Sequence, residues 1–210
     1  MRKIATGIST LFHPVFLPFI GFYFLLNSKF SFLLEEHKSI LLQSIFIVSL
    51  AIPLASVFIL KWTGMIQSIR IPNVQERRIP YYITFASYLF LAMFFRQISF
   101  IPIEYSVLFF SSALSIFVLI SLINTTKASA HMACLGGITG GLYTLALFYN
   151  YPFFYPIIVC FIISGFVGWS RLRLKAHTLE QLILGFSIGF LAQFFGNFLF
   201  EHFVSLTSFS

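Results

Sequence analysis

Residues 170 to 177 read Ser-Arg-Leu-Arg-Leu-Lys-Ala-His and separate two apolar segments that are each long enough to cross a membrane. This stretch holds three cations and a histidine, in a chain of which only 9% is charged. Charges at the edge of a membrane are costly to desolvate and need a polar or anionic partner. The stretch therefore indicates an anion site with phosphate as the obvious ligand. The alternative is a short loop whose cations reach lipid headgroups.

The composition predicts an integral membrane protein. Of the 210 residues, 59% are hydrophobic and 30 are Phe, and the mean hydropathy is +0.94. A soluble domain could not cover so much apolar surface with polar groups. We therefore expect an all-α, polytopic transmembrane helical bundle with six to seven spanning helices. Residues 1–210 are expected to form one membrane domain, and Cys134 and Cys160, which lie in apolar runs, are read as packing residues.

Seven nearly charge-free windows are candidates for the spanning helices. The first is read as a retained span rather than a signal peptide, because it has no small-residue cleavage site. His13 precedes Pro14 in this window and is read as an interior residue, and the prolines are expected to kink the helices without excluding them. The windows lie near residues 7 to 27, 39 to 60, 80 to 95, 105 to 123, 131 to 150, 153 to 169 and 179 to 200.

With this count, three basic loops lie on one side of the membrane together with the N-terminus. That side carries ten cations and the opposite side three. The loops cover residues 61 to 79, 124 to 130 and 170 to 178. The ten cations are Arg2, Lys3, Lys61, Arg70, Arg77, Arg78, Lys127, Arg171, Arg173 and Lys175.

Each basic loop ends where a spanning helix is expected to begin, at Pro80, at His131 and at Thr178. Helix N-termini favour anions through their unpaired N–H groups and the helix dipole. Small residues at 136, 137, 140, 141, 185 and 189 permit close approach of the fifth and seventh spans. We therefore expect His131 and His177 to lie together near one basic compartment.

These residues resemble the three signatures of the type-two phosphatidic acid phosphatase superfamily. Ser170-Arg171, five residues and then His177 match the third signature. Residues 128 to 131, Ala-Ser-Ala-His, are similar to the second signature, Pro-Ser-Gly-His. Residues 70 to 80 are similar to the first, a Lys, six residues and Arg-Pro, although Arg70 replaces the Lys and Ile79 precedes the proline. The motif-bearing core covers about residues 61 to 203.

The resemblance implies a membrane-embedded phosphatase that acts on a lipid phosphate or pyrophosphate through a phosphohistidine, without metal or cofactor. It makes His177 the nucleophile and His131 the proton donor. Arginine guanidinium groups can form bidentate hydrogen bonds with phosphate oxygens, and the arginines of the three signatures are consistent with this chemistry. Arg78, with Arg77 as its rival, takes the family's arginine position. The implied phosphate-binding residues are Arg70, Arg77, Arg78, Lys127, Ser129, Ala130, Ser170 and Arg171.

The altered first and second signatures, together with a change near the third, leave a second interpretation open. The family has a carboxylate four residues after the third-signature histidine, where this chain has Gln181, and Glu180 lies one position early. The alternative is a catalytically degenerate member that binds or moves phospholipid without cleaving it. A secondary transporter is a third reading, which the lack of an acidic residue in the middle of the spans disfavours.

The expected partners are a lipid phosphate substrate and membrane lipids, with no nucleic acid and with the oligomeric state left open. The expected location is a bacterial inner membrane. Cation counting favours cytoplasmic basic loops, whereas the resemblance implies an extracytoplasmic site. Five of the ten cations belong to the implied phosphate site, so the evidence from cation counting is weak. We therefore expect the extracytoplasmic placement that the resemblance implies.

Overall fold

A computed structural model describes residues 1–28, 33–69, 71 and 73–207. These residues form helices and contain no strand, which confirms the predicted all-α class. A π-helical turn at Ile47–Ala51 joins α3 to α4, and a 3₁₀ turn at Gln75–Arg77 precedes α5. The α-helices are α1 (Arg2–Leu11), α2 (Leu17–Leu26), α3 (Glu35–Phe46), α4 (Ile52–Trp62), α5 (Arg78–Arg96), α6 (Ile103–Ser121), α7 (Ala130–Tyr149), α8 (Phe154–Arg173) and α9 (Leu179–Thr207).

Six helical segments of the described chain are long and apolar enough to cross a membrane. They are Glu35–Trp62, Gln75–Arg96, Ile103–Ser121, Ala130–Leu147, Phe154–Arg173 and Leu179–Gly196. The prediction of a polytopic bundle with six to seven spans is therefore confirmed at six. Each predicted window from residue 39 onward overlaps one of these segments.

The prediction of one spanning helix over residues 7 to 27 is wrong. Helix α1 ends at Leu11 and α2 begins only at Leu17. The break contains Pro14, which restricts the backbone of His13 before it and donates no N–H to a preceding turn. Pro18 lies in the first turn of α2, where its missing N–H costs nothing.

Helix α2 follows α7 in the same direction. Leu17 packs with Leu135 near the start of α7. Leu26, at the end of α2, shares a core cluster with Leu145 and Phe153 at the other end of the bundle. Helix α2 alone thus runs toward the other end of the bundle, while α1 packs against α8.

The longest spanning segment contains a π-helical turn for an identifiable reason. Pro53 lacks the N–H that would bond to the carbonyl of Ser49, and its ring would collide with that carbonyl. The turn at Ile47–Ala51 widens the helix just before the proline. The helix therefore continues through Pro53 without ending.

Helices α7 and α9 run parallel and touch through their backbones. Gly185 lies against the backbone of Ser129, and one turn further along Gly189 lies against Ala133. On the other side of the contact, Gly136 lies against the carbonyl of Phe186. A Cβ at any of these three glycines would collide with main-chain atoms. Small residues thus set the separation of the two helices, as predicted, and both helices begin at the same end of the bundle.

Replacing Gly189 by Ala is expected to lower the thermal unfolding temperature of the detergent-solubilised protein by several degrees. The new methyl group would meet the Ala133 carbonyl and the Gly137 nitrogen. Overpacking of this kind costs about 1–3 kcal/mol. The matched control is Gly165→Ala on α8, where an added Cβ meets nothing within 4 Å. Equal melting temperatures for the two variants would contradict the backbone contact.

Candidate active site

The loops that precede α5, α7 and α9 meet at one end of the bundle. The Ser129 N–H donates to the carbonyl of Gln181 over 3.1 Å. His177 Nδ1 lies 3.0 Å from the carbonyl oxygen of Lys127. Arg77 acts electrostatically on Lys127, which places the first loop beside the second. The three basic loops are therefore neighbours, as expected from their predicted position on one side of the membrane.

The hydrogen bonds of His177 determine its tautomer. Its Nδ1 lies 3.0 Å from the Lys127 carbonyl oxygen and 3.2 Å from Gln181 Oε1. Both oxygens are acceptors only, so Nδ1 must carry the hydrogen. The lone pair of the ring is then left on Nε2. His177 is 8% exposed, so the ring is held in place within the protein.

Gln181 has two roles at this position. Its Oε1 accepts the Thr178 N–H over 3.3 Å, while the Gln181 N–H donates to Thr178 Oγ1 over 3.4 Å. This reciprocal pair is a capping box at the start of α9. The bond to the Thr178 N–H also fixes the amide so that its oxygen, not its nitrogen, faces His177. Gln181 therefore orients the imidazole but brings no negative charge to it.

The pKa of His177 is lowered to about 4. Burial is the largest cause, and the positive charge of Arg171 is the second. The hydrogen bonds to Gln181 and to the Lys127 carbonyl oppose the shift without overcoming it. At neutral pH the imidazole is thus uncharged, with an available lone pair.

Lys127 and Arg171 act electrostatically on this histidine, and Arg77 acts on both of them, so the three cations form a cluster. Burial, followed by the charges of Arg77 and Arg171, lowers the pKa of Lys127. In the described part of the chain, ion pairs occur only among residues 35 to 38. None of them involves Arg77, Lys127 or Arg171. The cluster therefore has an uncompensated positive charge, which favours an anion.

The space between Arg77 and Lys127 is small. Arg77 Nε donates to the Ile71 carbonyl over 3.0 Å. The cavity between Arg77 and Lys127 measures about 10 Å³, which is room for about one water molecule. On the other side, the Nε of Arg171 is buried and has no partner in the described residues.

Two serines of the predicted site are fully buried with unused hydroxyls. The side-chain oxygens of Ser129 and Ser170 have no hydrogen-bond partner in the part of the chain that the structure describes. Ser129 precedes α7 without a side-chain cap, and Ala130 is the first residue of that helix. Both hydroxyls and the Ala130 N–H lie in the segments that meet at this end.

The remaining predicted residues lie apart from the cluster or outside the description. Arg78 donates to the side-chain oxygen of Asn124, whereas Arg77 acts electrostatically on Lys127 and Arg171. Glu180 is exposed, and no contact of it with His177 is present. Arg70 lies outside the described residues.

Two residues of the N-terminal region reach the site although the sequence did not predict it. Ser9 Oγ accepts a hydrogen bond from Arg171 Nη1 over 2.7 Å, and the Ser9 carbonyl lies 3.1 Å from His131 Nε2. The His13 ring lies edge-on to the His131 ring with 5.2 Å between the centroids. The reading of His13 as a mere interior residue is thus corrected, since it borders the site. No local signal marks Ser9 and His13 as site residues, because the same run also contains Thr6 and Thr10.

His131 lies at the centre of these contacts. Its Nε2 donates to the Ser9 carbonyl, which only accepts, so the ring carries a hydrogen at this atom. It is 8% exposed and lies within electrostatic range of Arg171, His13 and His177. The structure therefore brings both predicted histidines into one site.

The arrangement combines the uncharged imidazole of His177 with cations that form no ion pair in the described residues and with a second histidine, His131, whose Nε2–H is donated to the Ser9 carbonyl. Such a site can bind a tetrahedral oxyanion and can transfer a group to nitrogen. No protein-family model, curated protein or solved structure matches this chain.

His177 is expected to remain neutral down to about pH 5, because its pKa lies near 4 rather than at the usual 6.5. Gln181→Asp should raise this pKa by at least one unit, since a carboxylate beside Nδ1 favours the imidazolium. Glu180→Gln, at an exposed position, is the control that should change nothing. Titration of the ¹⁵N-labelled imidazole by NMR measures all three values. A wild-type midpoint near 6.5 would contradict the buried site.

Proposed function

We propose that the protein is a membrane-embedded phosphatase that hydrolyses a lipid phosphate or pyrophosphate through a phosphohistidine on His177. The supporting observation is the Nδ1–H tautomer of His177, which leaves Nε2 unprotonated in a ring that feels the charges of Lys127 and Arg171. Arg77 acts electrostatically on both of these cations. These three cations supply the positive charge that a transferring phosphoryl group needs. The proposal is thus consistent with a reaction that requires no metal.

In the first step, Nε2 of His177 forms a bond to phosphorus as the bond from phosphorus to the leaving oxygen breaks. For this step His131 must first take up a second proton, at Nδ1, because its Nε2–H is donated to the Ser9 carbonyl. The imidazolium then gives this proton to the oxygen of the leaving alcohol. In the second step His131 accepts a proton from water, the water oxygen bonds to phosphorus, and the bond from phosphorus to His177 breaks. The products are the alcohol and inorganic phosphate, and the enzyme regains its starting state.

Binding of the phosphate uses groups that have no partner in the described residues. Arg171 offers its Nε, and the hydroxyls of Ser129 and Ser170 offer two further donors. Ser9 occupies only one N–H of the Arg171 guanidinium. The N-terminal region can therefore stay in place while the anion binds to the other donors of Arg171.

Gln181 is expected to lower the turnover rate of this enzyme. The imidazole becomes positively charged as Nε2 bonds to phosphorus, and an amide oxygen stabilises that charge less than a carboxylate does. We therefore infer a slow phosphatase whose nucleophile is nevertheless correctly oriented. The second candidate, a protein that binds or moves phospholipid without cleaving it, is favoured by the same amide and by the small space beside Arg77.

Replacing His177 by Ala should reduce phosphate release from lipid phosphates in detergent by at least about 10³-fold, because the nucleophile is lost. His131→Ala should instead slow turnover and allow an acid-labile phosphoenzyme to accumulate. His37→Ala is the control, since His37 stacks on Phe100 far from the site. Vanadate should inhibit, and chelators should leave the rate unchanged.

Each result separates the candidate functions. Phosphate release that survives in the His177 variant would eliminate the proposed nucleophile. Loss of activity in chelator would indicate a metal-dependent reaction instead. A wild-type protein that binds lipid phosphates but releases no phosphate from any of them would favour the non-cleaving alternative.

We further propose that the protein lies in a bacterial inner membrane with this site on the extracytoplasmic side. Single cysteines at positions 65 and 99 test the orientation in intact cells, in a background that lacks Cys134 and Cys160. Met65 is exposed in the loop after α4, and Ser99 is exposed in the loop between α5 and α6. An impermeant maleimide should label position 65 and not position 99. The opposite pattern would put the site in the cytoplasm.

A further inference from the structure

An elongated apolar cavity lies inside the bundle and is separate from the small space between the cations. It measures about 210 Å³ and is bordered by α2, α4, α5, α6, α7 and α9. For comparison, an apolar cavity of about 150 Å³ in another protein is large enough to bind benzene. The polar groups in its wall are largely used within the protein: the hydroxyls of Ser49, Thr84 and Ser112 donate to carbonyls of their own helices.

The cavity is long and narrow. Its lining on α7 extends from Ala130 to Leu145, which at the rise of an α-helix corresponds to about 22 Å. The hydrocarbon region of one membrane leaflet is about 15 Å deep. The cavity therefore has the length of a lipid chain, and its small volume over that length leaves room for one chain rather than two side by side.

One end of the cavity meets the cation cluster. Tyr81 and Leu119 border both the apolar cavity and the small space that contains Arg77 and Lys127. Ala130, which opens α7 beside His131, also borders the apolar cavity. A molecule with an anionic head and one apolar chain would thus match both regions at once.

We propose that this cavity binds the single hydrocarbon chain of a phosphorylated single-chain lipid, with the phosphate at Arg77, Lys127 and Arg171. The inference rests on the proposed function for the position of the phosphate, and it narrows the substrate class to lipids with one chain per phosphate. Two-chain phospholipids fit less well, because their second chain must stay outside the cavity. Isoprenoid and straight alkyl chains share this chemistry, and the probes below distinguish them.

Photocrosslinking tests the binding directly and requires no catalysis. A hexadecyl phosphate with a diazirine in the middle of its chain is irradiated with the full-length protein in detergent, and the labelled peptides are mapped by mass spectrometry. We expect labels on α6 and α7 residues that border the cavity, such as Leu108, Ile116 and Leu142. Unlabelled hexadecyl phosphate and farnesyl phosphate are used as competitors to show which chain is preferred. Phosphatidate should compete at least tenfold less well than the better of the two.

Gly137 offers a way to fill the cavity without disturbing the helices. It borders the cavity, and a Cβ added there meets nothing within 4 Å. Gly137→Leu should reduce the cavity labelling at least tenfold, and Gly137→Ala should reduce it less. Gly165→Leu is the matched control, because Gly165 is exposed on α8 and an added Cβ also meets nothing there. The Ala variant keeps the test informative if the Leu variant does not fold.

Enzyme kinetics separate this inference from the proposed function. Gly137→Leu should raise KM for hexadecyl phosphate at least fivefold while leaving the hydrolysis of butyl phosphate unchanged. Labelling in the cavity without any phosphate release would support the chain site and count against the phosphatase. Phosphate release together with labels only on the lipid-facing surface of α8, unchanged in Gly137→Leu, would overturn the chain site. Equal competition by phosphatidate would overturn the single-chain preference.

Discussion

The backbone contact between α7 and α9 is the constraint on which the site depends. Gly185 and Gly189 allow α9 to touch the main chain of α7 over its first turns. Since the two helices are parallel, this contact places their N-termini side by side. The Ser129 N–H then reaches the Gln181 carbonyl, and His177 reaches the carbonyl of Lys127. A larger residue on either glycine would separate the two segments that hold the histidines.

Much of this arrangement could be predicted from the sequence. Membrane-length apolar windows gave all six long spans, because hydrocarbon length and backbone satisfaction leave a spanning chain few alternatives. The alternation of loops correctly grouped the segments before α5, α7 and α9. Glycine spacing correctly indicated the close pair of helices, since in a membrane small residues are what permits close packing.

The parts that the sequence did not predict depend on contacts between distant segments. Nothing in the local pattern around Ser9 indicates that its carbonyl meets His131 or that its hydroxyl meets Arg171. The choice of Arg77 over Arg78 depends on side-chain contacts, since Arg78 donates to Asn124 whereas Arg77 acts electrostatically on Lys127. The double role of Gln181 could not be predicted either, because the same side-chain oxygen belongs to the capping box and accepts a hydrogen bond from the imidazole.

The broken N-terminal region has a consequence for biosynthesis. Ser9 precedes the six long spans, yet its partners lie 122 and 162 residues further along the chain. Until α7 and α8 have been inserted, the polar groups at Ser9 and His13 must be satisfied by water, lipid headgroups or the insertion machinery. Contacts of such large sequence separation form late because the closing loop is long. This segment, although it precedes the six long spans, is therefore among the last to reach its final position, and a chain stalled before α8 would leave this polar break without its partners.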